Sequence, residues 1–339
     1  MFRFALVMTL MLAGWGLAAG CRLVGQEAEN TSSARPQPES SAPTSSPKRA
    51  PVPGVTTATA ALPTALPTTA PAPPVTTAPT GADLDVVPLP TGAVAYVAGG
   101  LDAGTRDVDV LVHFHGAPHI VVREVDLARL RAVVIIVNYK GLSATYERPY
   151  SEPERFANLL AEAREALRTR GRLAAESRWR RVCLSSFSAG YGAVRALLAQ
   201  PKYYEQIDGV YLADSLYAGW ADDVPYRGAS PANMAPFRRL AADAVAGRKT
   251  FLVSHSYYDP QKYAGTHVTA DDLVTHVGLT RRAVDEAGPA DMHVVSRAEA
   301  GYFGVWGCTA PAEEHGRHLQ NMHYWLARLP LSTAAAKEP

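Results

Sequence analysis

Hydrophobic and polar positions divide the chain into three stretches of different character. Phe4 to about Leu17 is an apolar run behind one basic residue, Arg3, and small residues lead from it into Cys21. From 22 to 82 large apolar residues become rare, and Pro, Thr, Ser and Ala replace them. From about Asp83 onward, short β-branched runs alternate with segments whose apolar positions recur every three to four residues, the periods of strand and helix in turn.

That alternation predicts strands within "GAVAYVAGG" and over Asp107–His115 and Arg131–Tyr139, the last with a Val-Val-Ile-Ile-Val centre that reads as buried on both faces. A helix is expected from Ser151, as N-cap, to Gly171, with Phe156, Leu159, Leu160, Ala163 and Leu167 along one face. Then follow a strand at "RRVCLSS", a helix at "SAGYGAVRALLAQ", and strands over Ile207–Asp214 and Lys249–Ser256. A helix through "TADDLVTHVGLTRRAVDEAG", a strand over Asp291–Arg297, a long loop and a closing helix "GRHLQNMHYWLARL" complete the pattern. Strands alternating with helices predict an α/β fold: a mostly parallel, doubly wound sheet flanked by helices, with function at the carboxyl ends of its strands.

Composition adds the surroundings of that domain. The first stretch has the build of an export signal and is short for a membrane span. Its end, "LAAGC", resembles the lipobox of bacterial lipoproteins, which implies a diacylated Cys21 as the mature N-terminus. The second stretch cannot bury enough apolar surface to offset its ordering entropy and reads as a disordered tether. The expected organisation is therefore a signal peptide at 1–21, a tether at 22–82, a catalytic-type domain at 83–332 and a tail at 333–339. The chain is expected outside the cytoplasm, in a bacterial cell envelope, with the lipid bilayer as its partner through Cys21. Its 33 basic and 32 acidic residues form no long run of either sign, which argues against nucleic acid as a partner. Of the 3 cysteines, Cys183 and Cys308 could bridge in an oxidising compartment, although a cysteine inside a strand is more often a small core residue.

Chemistry concentrates at "LSSFSAGYG", Leu184–Gly192. A serine presented on a sharp strand-to-helix turn needs small residues two before and two after it, and Ser186 and Gly190 meet that need around Ser188. Ser186 departs from the glycine of G-x-S-x-G but keeps its smallness. Together with the His115-Gly116 loop two strands earlier, this segment resembles the α/β-hydrolase superfamily, over about residues 85 to 330. The resemblance implies Ser188 as nucleophile, with the N–H groups of Ala189 and of Gly116 or Ala117 as oxyanion donors. It also implies an acid and then a histidine later in the chain. His315 follows Ser188 by 127 residues, with His318 as fallback base and His323 structural. Asp214 and Asp259 each follow or end a later strand. The local likeness to bacterial members with the acid at the earlier strand favours Asp214, with Asp259 as the alternative.

The implied activity is hydrolysis of a carboxylic ester through Ser-His-Asp, with amide or cell-envelope acyl substrates behind it and no cofactor. The rival expectation is a non-catalytic lipoprotein that binds a glycan or peptide on the same scaffold. The cluster His113, His115 and His119 lacks an acidic ligand, so no metal is expected there. Loop aromatics Tyr217, Trp220, Tyr257, Tyr258, Tyr263, Tyr302, Phe303 and Trp306 are candidates for lining a pocket.

Overall fold

The computed structural model describes residues 85–310 and 314–334. The signal, the lipobox Cys21, the tether and the last five residues of the tail lie outside the described residues. Among the described residues no helix is long and apolar enough to cross a membrane.

The core is a ten-stranded sheet: β1 (Val87–Pro88), β2 (Val94–Val97), β3 (Asp107–Phe114), β4 (Val133–Val137), β5 (Arg178–Phe187), β6 (Ile207–Ala213), β7 (Thr250–His255), β8 (Arg282–Ala287), β9 (His293–Ala300) and β10 (Phe303–Thr309). Their spatial order is β1-β2-β4-β3-β5-β6-β7-β10-β9-β8. The six central strands, from β4 to β10, run parallel, and antiparallel pairs close the sheet at each side. The mostly parallel, doubly wound α/β architecture expected from the alternation is what forms.

Parallel strands need both faces covered, because their crossovers lay helices on each side. One core joins the sheet to α2 (Ser143–Tyr150), α3 (Arg155–Thr169), α4 (Tyr191–Leu198), α5 (Pro201–Gln206), α6 (Pro231–Val245) and α7 (Thr266–His276). The other joins it to α1 (Pro118–Leu127), α8 (Glu314–Gln320) and α9 (His323–Leu326). Strand β3 shows the division residue by residue: Val110, Val112 and Phe114 enter the first core and Leu111 the second. Glu124 of α1 is buried and ties that second layer together, accepting the backbone N–H of His323 (3.2 Å) and pairing with its Nδ1 (2.7 Å).

Four elements differ from the sequence expectation; one is the closing helix, which forms as two pieces, α8 and α9. The helix expected from Ser151 starts only at Arg155, as α3, and an unexpected helix, α2, precedes it; Ser151 caps the end of α2, its hydroxyl donating to the Glu147 carbonyl at 2.9 Å. The apolar face of α3 is nevertheless the expected one. The long helix after Thr269 ends near Gly278, whose φ of +72° is a conformation glycine adopts without penalty, and "RAVDEA" becomes edge strand β8. The expected loop "EAGYFGVWG" contains β10, a central strand between β7 and β9. Its glycines serve packing, since a Cβ at Gly304 would collide with the Trp306 ring. Cys183 and Cys308 are both buried and free. They sit on β5 and β10, three strand spacings apart, roughly 14 Å, beyond disulfide reach.

Candidate active site

Three parallel strands end on non-glycine residues with left-handed backbone: His115 after β3 (φ 70°), Ser188 after β5 (φ 49°) and Asp214 after β6 (φ 42°). Each such conformation costs on the order of 1 kcal/mol or more and persists only where its surroundings impose it. At Ser188 the imposition is close approach. A Cβ on Gly190 would collide with the Phe114 carbonyl oxygen, and one on Gly192 with that of Ser143, so only glycines let α4 start against β3 and α2. Ser188 is thereby turned out of the strand direction at the head of a short 3-10 turn leading into α4.

The position where a glycine is usual has a second function here. Ser186 is fully buried, and its hydroxyl bonds that of Ser215 at 2.8 Å. Ser215 in turn donates to the backbone carbonyl of Ser188 at 2.8 Å. A chain of two hydroxyls thus braces the elbow from within, a relation no local sequence signal announces.

Asp214 is fully buried. Its Oδ1 accepts the Ser256 N–H (2.8 Å) and the Thr266 hydroxyl (2.5 Å), while Oδ2 accepts from His315 Nδ1 at 2.6 Å. Burial alone would push this carboxyl up. The His315 hydrogen bond, the nearby His318 and His315 rings and the Thr266 hydroxyl outweigh burial and hold it below the usual carboxylate range. The acceptor at Nδ1 fixes the proton there, which leaves His315 Nε2 with its lone pair. The ring also packs, tilted, on Phe187 at 4.5 Å between ring centres, and Phe187 in turn stacks on His115 at 6.0 Å. His115 is held by Tyr146 Oη at 2.8 Å.

Ser188, Ala189 and His315 line one cavity of about 570 Å³, together with Tyr191, Tyr217, Tyr258 and Tyr263. The geometry therefore brings together Ser188, Asp214 and His315, residues far apart in the chain.

Other expected residues are placed elsewhere. Asp259 is exposed and shapes a turn, accepting the Gln261 N–H (2.8 Å) and the Tyr226 hydroxyl (3.3 Å). His318 is buried, bonded to Ser254 Oγ at 2.9 Å, and burial holds its imidazole down to about 4. His323 is the structural partner of Glu124. The Gly116 N–H already donates to Asn138 Oδ1 at 3.3 Å, whereas Ala117 stands at the N-cap of α1. His113, His115 and His119 do not converge: His113 is buried between Ser185 Oγ and the His115 carbonyl, His115 turns away at the strand end, and His119 is exposed. Among the described residues no group of three or more His, Cys, Asp or Glu could hold a metal ion. Of the candidate aromatics, Phe303 and Trp306 are buried in β10, and Trp220 is buried and off the cavity lining. Tyr217, Tyr258 and Tyr263 line the cavity, joined by Tyr191, which the sequence reading did not single out.

A serine elbow after β5, a buried acid after β6 and a histidine after the last parallel strand, on a sheet of this order, decide the architecture. The fold is that of the α/β-hydrolases. No family model matches the chain, and no curated protein matches it. Solved structures do. An IroE-like serine hydrolase from Shewanella oneidensis shares 10% identity, with 72% of this chain and 78% of that one covered and a TM-score of 0.42. The feruloyl esterase module from Clostridium thermocellum shares 11%, covering 75% and 90%, with a TM-score of 0.42. A dienelactone hydrolase-like promiscuous phosphotriesterase from metagenomic libraries shares 12%, covering 72% and 97%, with a TM-score of 0.37.

Proposed function

We propose that this domain is a serine hydrolase that cleaves a carboxylic ester through Ser188, His315 and Asp214, exported and tethered to the envelope membrane through a lipidated Cys21. The observation that carries the reading is the 2.6 Å bond from His315 Nδ1 to a buried, ionised Asp214 carboxylate, with Ser188 strained into the cavity His315 lines. In this scheme Ser188 Oγ attacks the acyl carbonyl carbon and its proton passes to His315 Nε2. The imidazolium so formed is stabilised by Asp214, whose carboxylate stays ionised because its donors are already in place. The carbonyl oxygen, gaining negative charge, is met by the Ala189 N–H at the head of α4 and by the Ala117 N–H at the head of α1. The tetrahedral intermediate collapses as His315 returns the proton to the leaving alcohol. A water, deprotonated by the same nitrogen, then releases the acyl group from Ser188.

Amide and cell-envelope acyl substrates fit the same chemistry. Export and anchoring rest on the sequence: the apolar run, the "LAAGC" end and the tether that would space the domain from a bilayer. The decisive experiment is labelling of the purified domain with a fluorophosphonate probe. Labelling that disappears in Ser188→Ala supports the enzyme. A well-folded wild-type protein that takes no label would instead favour a binding protein on a hydrolase scaffold. Accumulation of precursor under globomycin tests Cys21, and normal processing under the drug would remove the lipid anchor from the reading.

A further inference from the structure

The cavity beside Ser188 has one wall of tyrosine rings. Tyr191 and Tyr217 lie 5.7 Å apart, and Tyr217 meets Tyr263 edge to face at 5.5 Å. Burial pushes the Tyr191 and Tyr217 phenols up, so both present neutral rings near neutral pH. Leu142 is the one large aliphatic side chain on the lining, and it is mostly exposed at 81%. Such a surface favours a flat group laid against it over a flexible alkyl chain.

Besides Ser188, His315 and the tyrosine hydroxyls, the polar side chains on the lining are Arg195, Asn233 and Ser143. Their bonds within the protein decide what they can still offer. Arg195 spends Nε and Nη2 on the two oxygens of Glu147, at 3.1 and 2.6 Å, which also neutralises its charge. Asn233 Oδ1 accepts the Gly219 N–H at 2.9 Å, which turns the amide so that its Nδ2 donor is unspent. Ser143 Oγ accepts from Tyr191 at 3.2 Å, and its own proton remains. Each of the three keeps a donor: Arg195 Nη1, Asn233 Nδ2 and the Ser143 hydroxyl. Arg195 stands seven residues beyond Ser188 along the elbow and α4, about 10 Å away by helical rise. An alkyl chain in this place would desolvate the donors for no return.

We propose that the cavity receives an aromatic ring carrying a neutral hydrogen-bond acceptor on its far side, so that the preferred substrates are esters of acceptor-substituted aryl compounds, with Arg195 as a specificity-determining residue. This rests on the reading of Ser188 as nucleophile.

The test compares kcat/KM for methyl 3-(4-methoxyphenyl)propanoate, its 4-methyl analogue and methyl heptanoate. The corresponding arylpropyl acetates place the ring on the alcohol side. In one of the two arms the methoxy compound is expected to exceed the methyl compound about tenfold, the worth of one buried hydrogen bond, and the heptanoate by more. The paired replacement Arg195→Met with Glu147→Met, which leaves no lone charge, is expected to erase the methoxy advantage. Equal rates for methoxy and methyl in both arms, or heptanoate as the best substrate, overturn the inference. If the fluorophosphonate probe labels the wild type while no preference exists, the inference falls and the nucleophile stands. If no label is taken, the nucleophile falls. Calorimetry of the methoxy and methyl esters on Ser188→Ala protein then decides the inference by itself: about tenfold tighter methoxy binding supports it, and equal binding overturns it.

Discussion

The two edges of the parallel sheet are built on opposite principles. At the carboxyl edge, consecutive positions of the sheet end on His115, Ser188 and Asp214, each in a left-handed conformation and each held by a network of buried hydroxyls, imidazoles and amides. At the amino edge the strands are extended and the polar groups meet in ion pairs. Arg178 bonds Asp107 at 2.5 Å, and Arg180 grips buried Asp109 with two nitrogens at 2.8 Å, while the Ser332 N–H adds a third bond to Asp109. Strain collected at one edge and relaxed pairs at the other show that backbone strain and buried polar contacts gather where the strands end, and ion pairs where they begin.

The largest separation between the edges is expected from Asp214→Asn. An amide there offers His315 the wrong partner and tautomer, so kcat is expected to fall about 10⁴-fold in steady-state ester hydrolysis, with the thermal midpoint little changed. A loss under tenfold would move the acid elsewhere. Asp259→Asn, at an exposed turn on the same side, is expected to stay within about twofold of wild type.

The reverse pattern is expected from Arg180→Met. It strips Asp109 of its paired cation and should lower stability by about 2 kcal/mol in urea unfolding, while kcat/KM of the folded protein is unchanged. An activity loss here would break the distinction between the edges.

Acid separates them again. Burial holds the imidazoles of His113 and His255 down to about 3 and that of His318 to about 4, Arg281 adding to the effect at His255. These folded values lie below the ordinary value near 6.5, so the unfolded chain binds protons first as pH falls. The stability they contribute is complete above about pH 6.5 and is lost progressively toward pH 4. The carboxyls of Asp107 and Asp109 are depressed, and their contribution persists until the pH falls below about 4. Urea unfolding between pH 7 and 4.5 should therefore weaken, and His318→Gln should flatten that slope by about one proton, roughly 1.4 kcal/mol per pH unit. An unchanged slope would show that His318 takes its proton with equal ease folded and unfolded.

The smallest effect concerns the brace. Ser215→Ala releases the Ser188 carbonyl and is expected to lower kcat about tenfold with KM nearly constant, whereas Ser186→Gly, which keeps the bond to Ser188, should cost less. Equal losses in kcat and in unfolding free energy, with both variants alike, would reduce the pair to core packing.

Much of this could be read in the order of residues. The periods of two and three to four fix which segments are strands and helices, and the small residues around Ser188 announce a tight turn because backbone approach is a local steric demand. Even the buried face of α3 was legible, although its cap was not, since Pro149 and Ser151 could equally begin a helix or end one. Strands β8 and β10 were not legible. β8 reads as helix and is specified by its pairing with β9; β10 carries strand formers in Phe303, Val305 and Trp306, but Gly304 and Gly307 give it the look of a loop, and its place between β7 and β9 fixes it.

The sequence by itself determined the alternating fold and the kinds of chemical group available: one serine on an elbow, two eligible acids, a few late histidines. Only the tertiary structure decided the surroundings of each. Asp214 and Asp259 carry the same carboxylate, but one is buried against Ser256, Thr266 and His315 and the other faces water at a turn. Reactivity depends on such surroundings, on burial and on donors brought from distant strands, and those are set by packing over the whole sheet rather than by neighbours along the chain.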